Sequence, residues 1–466
     1  MIYIVSAIFS FLMLYYLALV LQLNSYKFKR VIFNFAKKRW HFYYLIAPFL
    51  LYVITCDINH YLSLALMIVY LIALALLAKN IDKPLVFTAR IQRLFAFNLL
   101  GVLIFSPLHF YYKLDPHTLD ILVFAFICSY ICEYFVNKGF YNKAYEKITK
   151  LNNCKVVLIT ASYGKTSIKH FLAQITQNHF KIHYAKGSIN TTLGLIKDIN
   201  ENLELDTELL IIEAGARKQG DILEITKLVR PHYVIIGQIG TAHLEYFKNI
   251  ENTRATKKEA LQSERLELAI THSSVNETTS YDDGLSDINA SLNGLSFKYK
   301  GEEYFANLLG SFNASNLAAC ISLAKALGLN YEQIKEEVKN IKPTAHRLEI
   351  ISREPKFIID DGFNGNYDGM SDSYKIIKDY KAGKRVLVSP GIIEASDELN
   401  IKLCEVINEC FDLAIITSES NALIYDENLK IDKIILKDKA ELINTLANNT
   451  KEKDLIIFSN DAPNYI

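Results

Sequence analysis

Residues 154–168 read Cys-Lys-Val-Val-Leu-Ile-Thr-Ala-Ser-Tyr-Gly-Lys-Thr-Ser-Ile, an apolar strand that runs into a Gly-Lys-Thr turn and opens a helix. Such a turn offers backbone N–H groups and a lysine ammonium to phosphate oxygens, and a threonine hydroxyl to Mg2+. The chemistry indicated is binding of a nucleoside triphosphate. The strict phosphate-loop pattern asks for glycine at position 159, which is Ile159. A tighter variant, Thr-Gly-Ser-x-Gly-Lys-Thr, fits 160–166 with Ala161 in place of its first glycine. Ala161, Ser162, Tyr163, Gly164, Lys165, Thr166 and Ser167 are therefore the candidate phosphate-binding residues.

Two further elements share that position at the end of an apolar strand. Glu213 closes the run Leu209–Ile212 and is followed by Ala-Gly-Ala-Arg-Lys-Gln-Gly-Asp-Ile. A carboxylate at the carboxyl end of a neighbouring strand is where an α/β sheet holds Mg2+. Thr241-Ala242-His243-Leu244-Glu245 follows the apolar run 233–237, which makes His243 a site candidate. Lys257 and Glu259 lie on the helical stretch beyond, where a charged pair reads by itself as a solvated face.

The elements that must position these residues alternate between β-branched runs and helical patterns from about residue 150 onward, the signature of a mainly parallel sheet. Strands are expected at 155–160, 208–213, 233–237, 356–360, 385–389, 412–417, 432–436 and 454–458, and a helix at 310–329. The Asn/Ser/Thr-rich piece 272–294 reads as a surface loop or hairpin insert, and a domain boundary falls near Lys342–Arg347.

The first 140 residues differ in kind. Apolar runs at about 2–23, 42–56, 61–78, 94–112 and 120–137 are mostly long enough to cross a hydrocarbon core, the second being short enough to be tilted or re-entrant. The first run lacks the basic start and small-residue cleavage site of a signal peptide. The loop 24–41 carries Lys27, Lys29, Arg30, Lys37, Lys38 and Arg39, and 79–93 carries Lys79, Lys83, Arg90 and Arg93 against Asp82. Loops near Asp57 and Asp115 are poor in Lys and Arg, and Asp57, His60 and His117 read as solvated loop residues. The positive-inside rule then sets the basic loops, and everything after about 140, in the cytoplasm. No span interior carries an obvious ionisable pair, which disfavours a transporter. The 466-residue chain balances 51 Lys and Arg against 50 Asp and Glu, which argues against a nucleic-acid binder. Its seven cysteines lack paired spacing, and Cys154 and Cys320 read as small buried residues.

In their order, these motifs resemble the Mur ligases, ATP-dependent amide-forming enzymes of peptidoglycan synthesis. They are most similar to the type that adds D-alanyl-D-alanine to UDP-linked muramoyl tripeptide. Besides the turn and Glu213-Ala-Gly-Ala-x-x-x-Gly-Asp-Ile, the resemblance rests on Asn190-Thr-Thr-Leu-Gly194, Ala242-His-Leu-Glu245, Lys257-Lys-Glu259 and Gly310-Ser-Phe-Asn-Ala-Ser-Asn316. It continues in His346-Arg-Leu-Glu349 and Asp360-Asp-Gly-Phe-Asn-Gly-Asn-Tyr-Asp-Gly-Met370. It covers about 150–400. The implied fold is α/β, with a central phosphate-loop ATPase domain at 150–342 and a Rossmann-like domain at 343–466 behind the helical transmembrane module at 1–140.

The resemblance also implies roles. Lys165 holds the β- and γ-phosphates of ATP, and Thr166 and Glu213 hold one Mg2+. His243 matches a ligand of a second Mg2+, and Lys257 the family's carbamylated lysine. Asn313 or Asn316 contacts adenine, Arg347 reaches the phosphates from the last domain, and Asp361 meets the ribose. The acceptor's carboxylate is phosphorylated and an amine then displaces the phosphate. The implied partners are a UDP-linked or lipid-linked muramoyl peptide and D-alanyl-D-alanine, at the cytoplasmic face of a bacterial inner membrane.

The chain departs from the family in places. Membrane-like runs stand where the family carries its UDP-sugar-binding domain. Gly-Asp-Met-x-Glu-Leu-Gly is here Pro390-Gly-Ile-Ile-Glu-Ala-Ser396, keeping only Glu394, and the late Lys-Gly-Ser has no match in 459–463. A ligase acting on a lipid-linked precursor or a poly-amino-acid chain is the alternative within the class. A non-catalytic ATP-binding scaffold is the alternative outside it, disfavoured because His243, Lys257 and Asp361 accompany Lys165.

Overall fold

A computed structural model describes residues 2–24, 26–33, 37–81, 83–113, 118–151, 153–240, 247–363, 365–393, 396–418 and 421–460. His243, Asp115, His117, Asn364, Glu394 and the segment 461–463 lie outside the described residues, as does the side chain of Asp57. The chain divides into two compact units, Met1–Phe140 and Tyr141–Ile466.

In the first unit, four described helices are long and apolar enough to cross a membrane: Ile2–Leu23, His60–Asn80, Ala89–Tyr112 and Thr118–Thr149. Ile2–Leu23 is the most buried of them, and Phe9, Tyr16 and Ser10 along it are inaccessible. The short run at 42–56 is also helical, without a break from Arg39 to Ile58, but takes a π turn at Phe42–Ile46 ahead of Ala47–Ile58. Polar contacts stitch the helices. Asn98 donates to Ser10 at 3.0 Å. Arg93 meets Glu133 at 2.6 Å and His109 meets Asp120 at 2.6 Å. Ionisable pairs are therefore present among the spans, against expectation, because each joins helix Ala89–Tyr112 to helix Thr118–Thr149 rather than lying within one run.

Among the described residues, the second unit contains three sheets. The first is parallel throughout and built from β1 (Lys155–Thr160), β2 (Ile182–Tyr184), β3 (Leu209–Glu213), β4 (Tyr233–Ile236) and β5 (Leu268–Thr271), in the order β2-β3-β1-β4-β5. Its central strands are apolar without alternation because helices cover both faces. Val157 and Ile159 of β1 enter one core with Phe171, Leu172 and Leu317. Val156 and Leu158 enter the opposite core with Leu195, Ile199 and Leu228. Helix Phe312–Ala326 packs on the first face through small residues, with Ala318, Ala319 and Cys320 fully buried, and Cys154 is buried as well.

The expected insert at 272–294 extends further than a loop. β6 (Leu285–Ser291), β7 (Gly294–Tyr299) and β8 (Glu302–Ala306) form an antiparallel sheet whose Leu295, Phe297 and Tyr299 face the core. The third sheet comprises β9 (Glu349–Ser352), β10 (Phe357–Asp361), β11 (Arg385–Ser389), β12 (Leu413–Ile416), β13 (Asp432–Ile435) and β14 (Leu455–Ser459). Its order is β13-β12-β11-β14-β10-β9, parallel except for the edge strand β9.

Candidate nucleotide and metal site

β1 lies between β3 and β4, so the strand order reverses beside it, and the carboxyl ends at such a point are where ligands bind α/β folds. Gly164 is the N-cap of helix Lys165–Thr176 at φ +76°. A side chain there would be strained in the left-handed region, and its Cβ would strike the amide of Asn316. The turn is thus confined from above by the helix that carries Asn313 and Asn316. Asn316 donates to Asn313 Oδ1 at 3.0 Å, and Asn313 to Leu309 O at 2.8 Å.

Lys165 curls back over its own turn and donates to Ala161 O at 2.8 Å and Ser162 O at 3.1 Å. Burial pulls its ammonium down to about 8, with Glu213 opposing and Arg347 reinforcing the shift. The Ser162 N–H is tied to Gln238 O at 2.8 Å, which joins the turn to the segment after β4.

In-register pairing sets Glu213 opposite Ile159, at the edge where the turn begins. Its carboxylate is 1 % exposed. The Thr166 hydroxyl is 3.1 Å from each carboxylate oxygen, and Asn190 Nδ2 donates to Oε1 at 3.3 Å. Ser188 Oγ lies 3.4 Å from Thr166 Oγ1. This donor set is oxygen-rich and hard, which fits Mg2+ rather than a softer metal. Among the described residues no group of three or more His, Cys, Asp or Glu forms a metal cage. Mg2+ does not need one, since it takes one or two protein oxygens and completes its shell with phosphate and water.

Lys257 and Glu259 do not form a solvated face. They are 4 % and 5 % exposed. Glu259 accepts from the backbone N–H of Gly220 at 2.8 Å and Leu223 at 3.0 Å, at the start of helix Asp221–Val229. That is a favourable place for an anion. Lys257 faces the site, where burial and then the charge of Lys165 bring its ammonium down to about 7.

From the third sheet, Arg347 and Asp361 come toward the same region. The Arg347 guanidinium stacks on Phe363 at 4.7 Å, and the charges of Asp361 and Glu213 both act on it. Two left-handed residues, His346 (φ +60°) and Leu348 (φ +49°), bracket it. Asp361 Oδ1 accepts from Leu348 N at 3.2 Å, and burial raises its carboxyl to about 7. Asp360 is instead engaged by His346 at 2.6 Å.

The described candidates thus gather around the turn, and one residue was missed. Lys169, one turn after Lys165, is fully buried beside Glu213 at 3.5 Å. Its four-residue spacing from Lys165 was the only available sign, and that spacing does not reveal which way the ammonium turns.

Residues 159–324 match the family described as the Mur ligase middle domain. The chain is 26 % identical over 308 residues to the UDP-N-acetylmuramoyl-tripeptide–D-alanyl-D-alanine ligase of Borreliella burgdorferi, covering 60 % of this chain and 66 % of that one. The Bacillus subtilis ligase of the same name is 25 % identical over 331 residues, covering 65 % and 72 %. The structure of MurF ligase from Thermotoga maritima in complex with ADP superposes with a TM-score of 0.62 at 21 % identity, covering 70 % of this chain and 80 % of that one. MurF from Acinetobacter baumannii gives 0.60 at 22 % identity, covering 69 % and 77 %. These two likenesses show the fold.

Proposed function

We propose that this protein is an ATP-dependent amide ligase of peptidoglycan precursor synthesis, joining D-alanyl-D-alanine to UDP-N-acetylmuramoyl-tripeptide. The observation that carries this reading is the convergence of Lys165, Thr166 and Glu213 from the first sheet with Arg347 and Asp361 from the third, in a chain whose relatives bear that activity in their names.

The peptide's carboxylate oxygen attacks the γ-phosphorus of ATP and ADP leaves, giving an acyl phosphate. The amine then attacks the acyl carbon, inorganic phosphate leaves with the C–O bond electrons, and the nitrogen loses a proton. Most of the enzyme's contribution is positioning and charge neutralisation. Lys165 exchanges its contacts with Ala161 O and Ser162 O for phosphate oxygens. Arg347 adds positive charge from the opposite side, Asn313 or Asn316 meets adenine and Asp361 the ribose. Thr166 and Glu213 hold Mg2+, which screens the phosphate charges when bound. His243 is proposed for a second Mg2+. Lys257 suits carbamylation, because CO2 adds only to a neutral amine and burial supplies one near pH 7.

We further propose that residues 1–140 anchor the ligase at the inner face of the cytoplasmic membrane. The helical run from Arg39 to Ile58 rises about 30 Å, the thickness of a hydrocarbon core, and supports a fifth crossing that keeps both basic loops on one side. This anchoring is also what favours a lipid-linked acceptor as the second reading.

The test uses the full-length chain in detergent with ATP, Mg2+, UDP-muramoyl tripeptide and D-alanyl-D-alanine, following phosphate and pentapeptide. Substrate-dependent phosphate release is expected, and Lys165→Ala lowers it at least about a hundredfold. Release that requires a lipid-linked acceptor instead establishes the second reading. An active Lys165→Ala variant sinks the role given to the turn.

A further inference from the structure

Lys169 is fully buried, and its ammonium points inward. Nζ donates to Ala185 O at 2.9 Å and to Gly187 O, and lies 3.5 Å from Glu213 Oε2. These acceptors match the ammonium's three protons. Packing does not require such a group, since an apolar side chain of similar length fills the space without the desolvation of a buried ion pair. Its partners all belong to one neighbourhood. Glu213 also accepts from Thr166 and Asn190. The carbonyls of Ala185 and Gly187 lead directly into Ser188, whose hydroxyl approaches Thr166, and then to Asn190.

We propose that Lys169 is a positioning residue of the Mg2+ site. It fixes the rotation of the Glu213 carboxylate and clamps the segment 185–190 against it, so that the oxygens of Thr166 and Glu213 are aligned for the metal before nucleotide arrives. This inference rests on the reading of Thr166 and Glu213 as the Mg2+ ligands. Partners behind metal ligands commonly set affinity by ten- to a hundredfold.

The experiment titrates Mg2+ into the full-length chain with ADP and measures binding by calorimetry. In Lys169→Met, the Mg2+ concentration for half-maximal ADP binding is expected to rise about tenfold or more, while ADP binding in EDTA stays as in the wild type. A variant with the wild-type Mg2+ requirement overturns the inference. Wild-type ADP binding that is indifferent to Mg2+ overturns the metal-site reading itself, and this inference with it. A second readout needs no ligand. Hydrogen exchange across 185–190 in the nucleotide-free protein is expected to be faster in Lys169→Met than in the wild type, and equal exchange in both overturns the clamp.

Discussion

Asp372 accepts both polar hydrogens of Ser311. Its Oδ2 takes the backbone N–H at 2.7 Å and its Oδ1 the hydroxyl at 2.7 Å. Ser311 is the N-cap of the helix bearing Asn313 and Asn316, whereas Asp372 lies on helix Tyr367–Ile377, between β10 and β11 of the third sheet. One carboxylate therefore joins the helix that bears Asn313 and Asn316 to the third-sheet region that bears Arg347 and Asp361.

Replacing Asp372 with Ala removes this join and leaves a helix start uncapped, at a cost of about 1 kcal/mol. The KM for ATP is expected to rise several-fold, with a smaller change in kcat. Steady-state kinetics alongside chemical denaturation checks this, and unaltered ATP kinetics in the variant would argue that the join is incidental.

Lys257 gives a pH signature. Its folded ammonium loses a proton near 7 because burial disfavours the charge, while the unfolded lysine keeps its proton to about 10.4. The unfolded state therefore binds more protons between those values, so this group makes stability rise with pH across that window. Melting curves at pH 7 and pH 9 should show a smaller pH increment in Lys257→Met than in the wild type. An identical increment would place the titration elsewhere.

Asp361 acts in the opposite sense. Burial, with Asp360 adding to it, keeps the folded carboxyl protonated up to about 7, whereas an unfolded aspartate ionises near 3.9. The folded state binds the extra proton, and this group makes stability fall as pH rises from about 4 to about 7. Asp361→Asn removes that loss, so at pH 8 the variant should melt no lower than the wild type. It also removes the charged acceptor proposed for the ribose, and ADP affinity should drop about tenfold or more. A variant that is less stable at pH 8, or that binds ADP as the wild type does, contradicts this account.

The parts of the site that were legible in the sequence are the local ones. β1, Gly164 and Lys165 are consecutive, and a strand, a turn and a helix start each leave their own pattern, so β1 is found at its expected bounds. β10, β11 and β14 lie within a residue of expectation for the same reason. Burial of charge was not legible. Lys257 and Glu259 look like a solvated pair until Glu213 and helix Asp221–Val229 are brought beside them, and Lys169 looks like any helix lysine until Glu213 arrives from another strand. The short strands β2 and β5 and the alternating β6–β8 were missed or underestimated because edge and half-exposed strands carry weak apolar patterns. The ion pairs Arg93–Glu133 and His109–Asp120 join separate helices and leave no trace in either one alone.

The docking of Lys165 on the carbonyls of Ala161 and Ser162 bears on how fast nucleotide is captured. The turn already stands in shape around its own lysine, so an arriving triphosphate swaps one set of oxygens for another within it. Encounter rather than rearrangement then sets the association rate at this half of the site. On the proposed roles, residence time is left to Arg347 and Asp361.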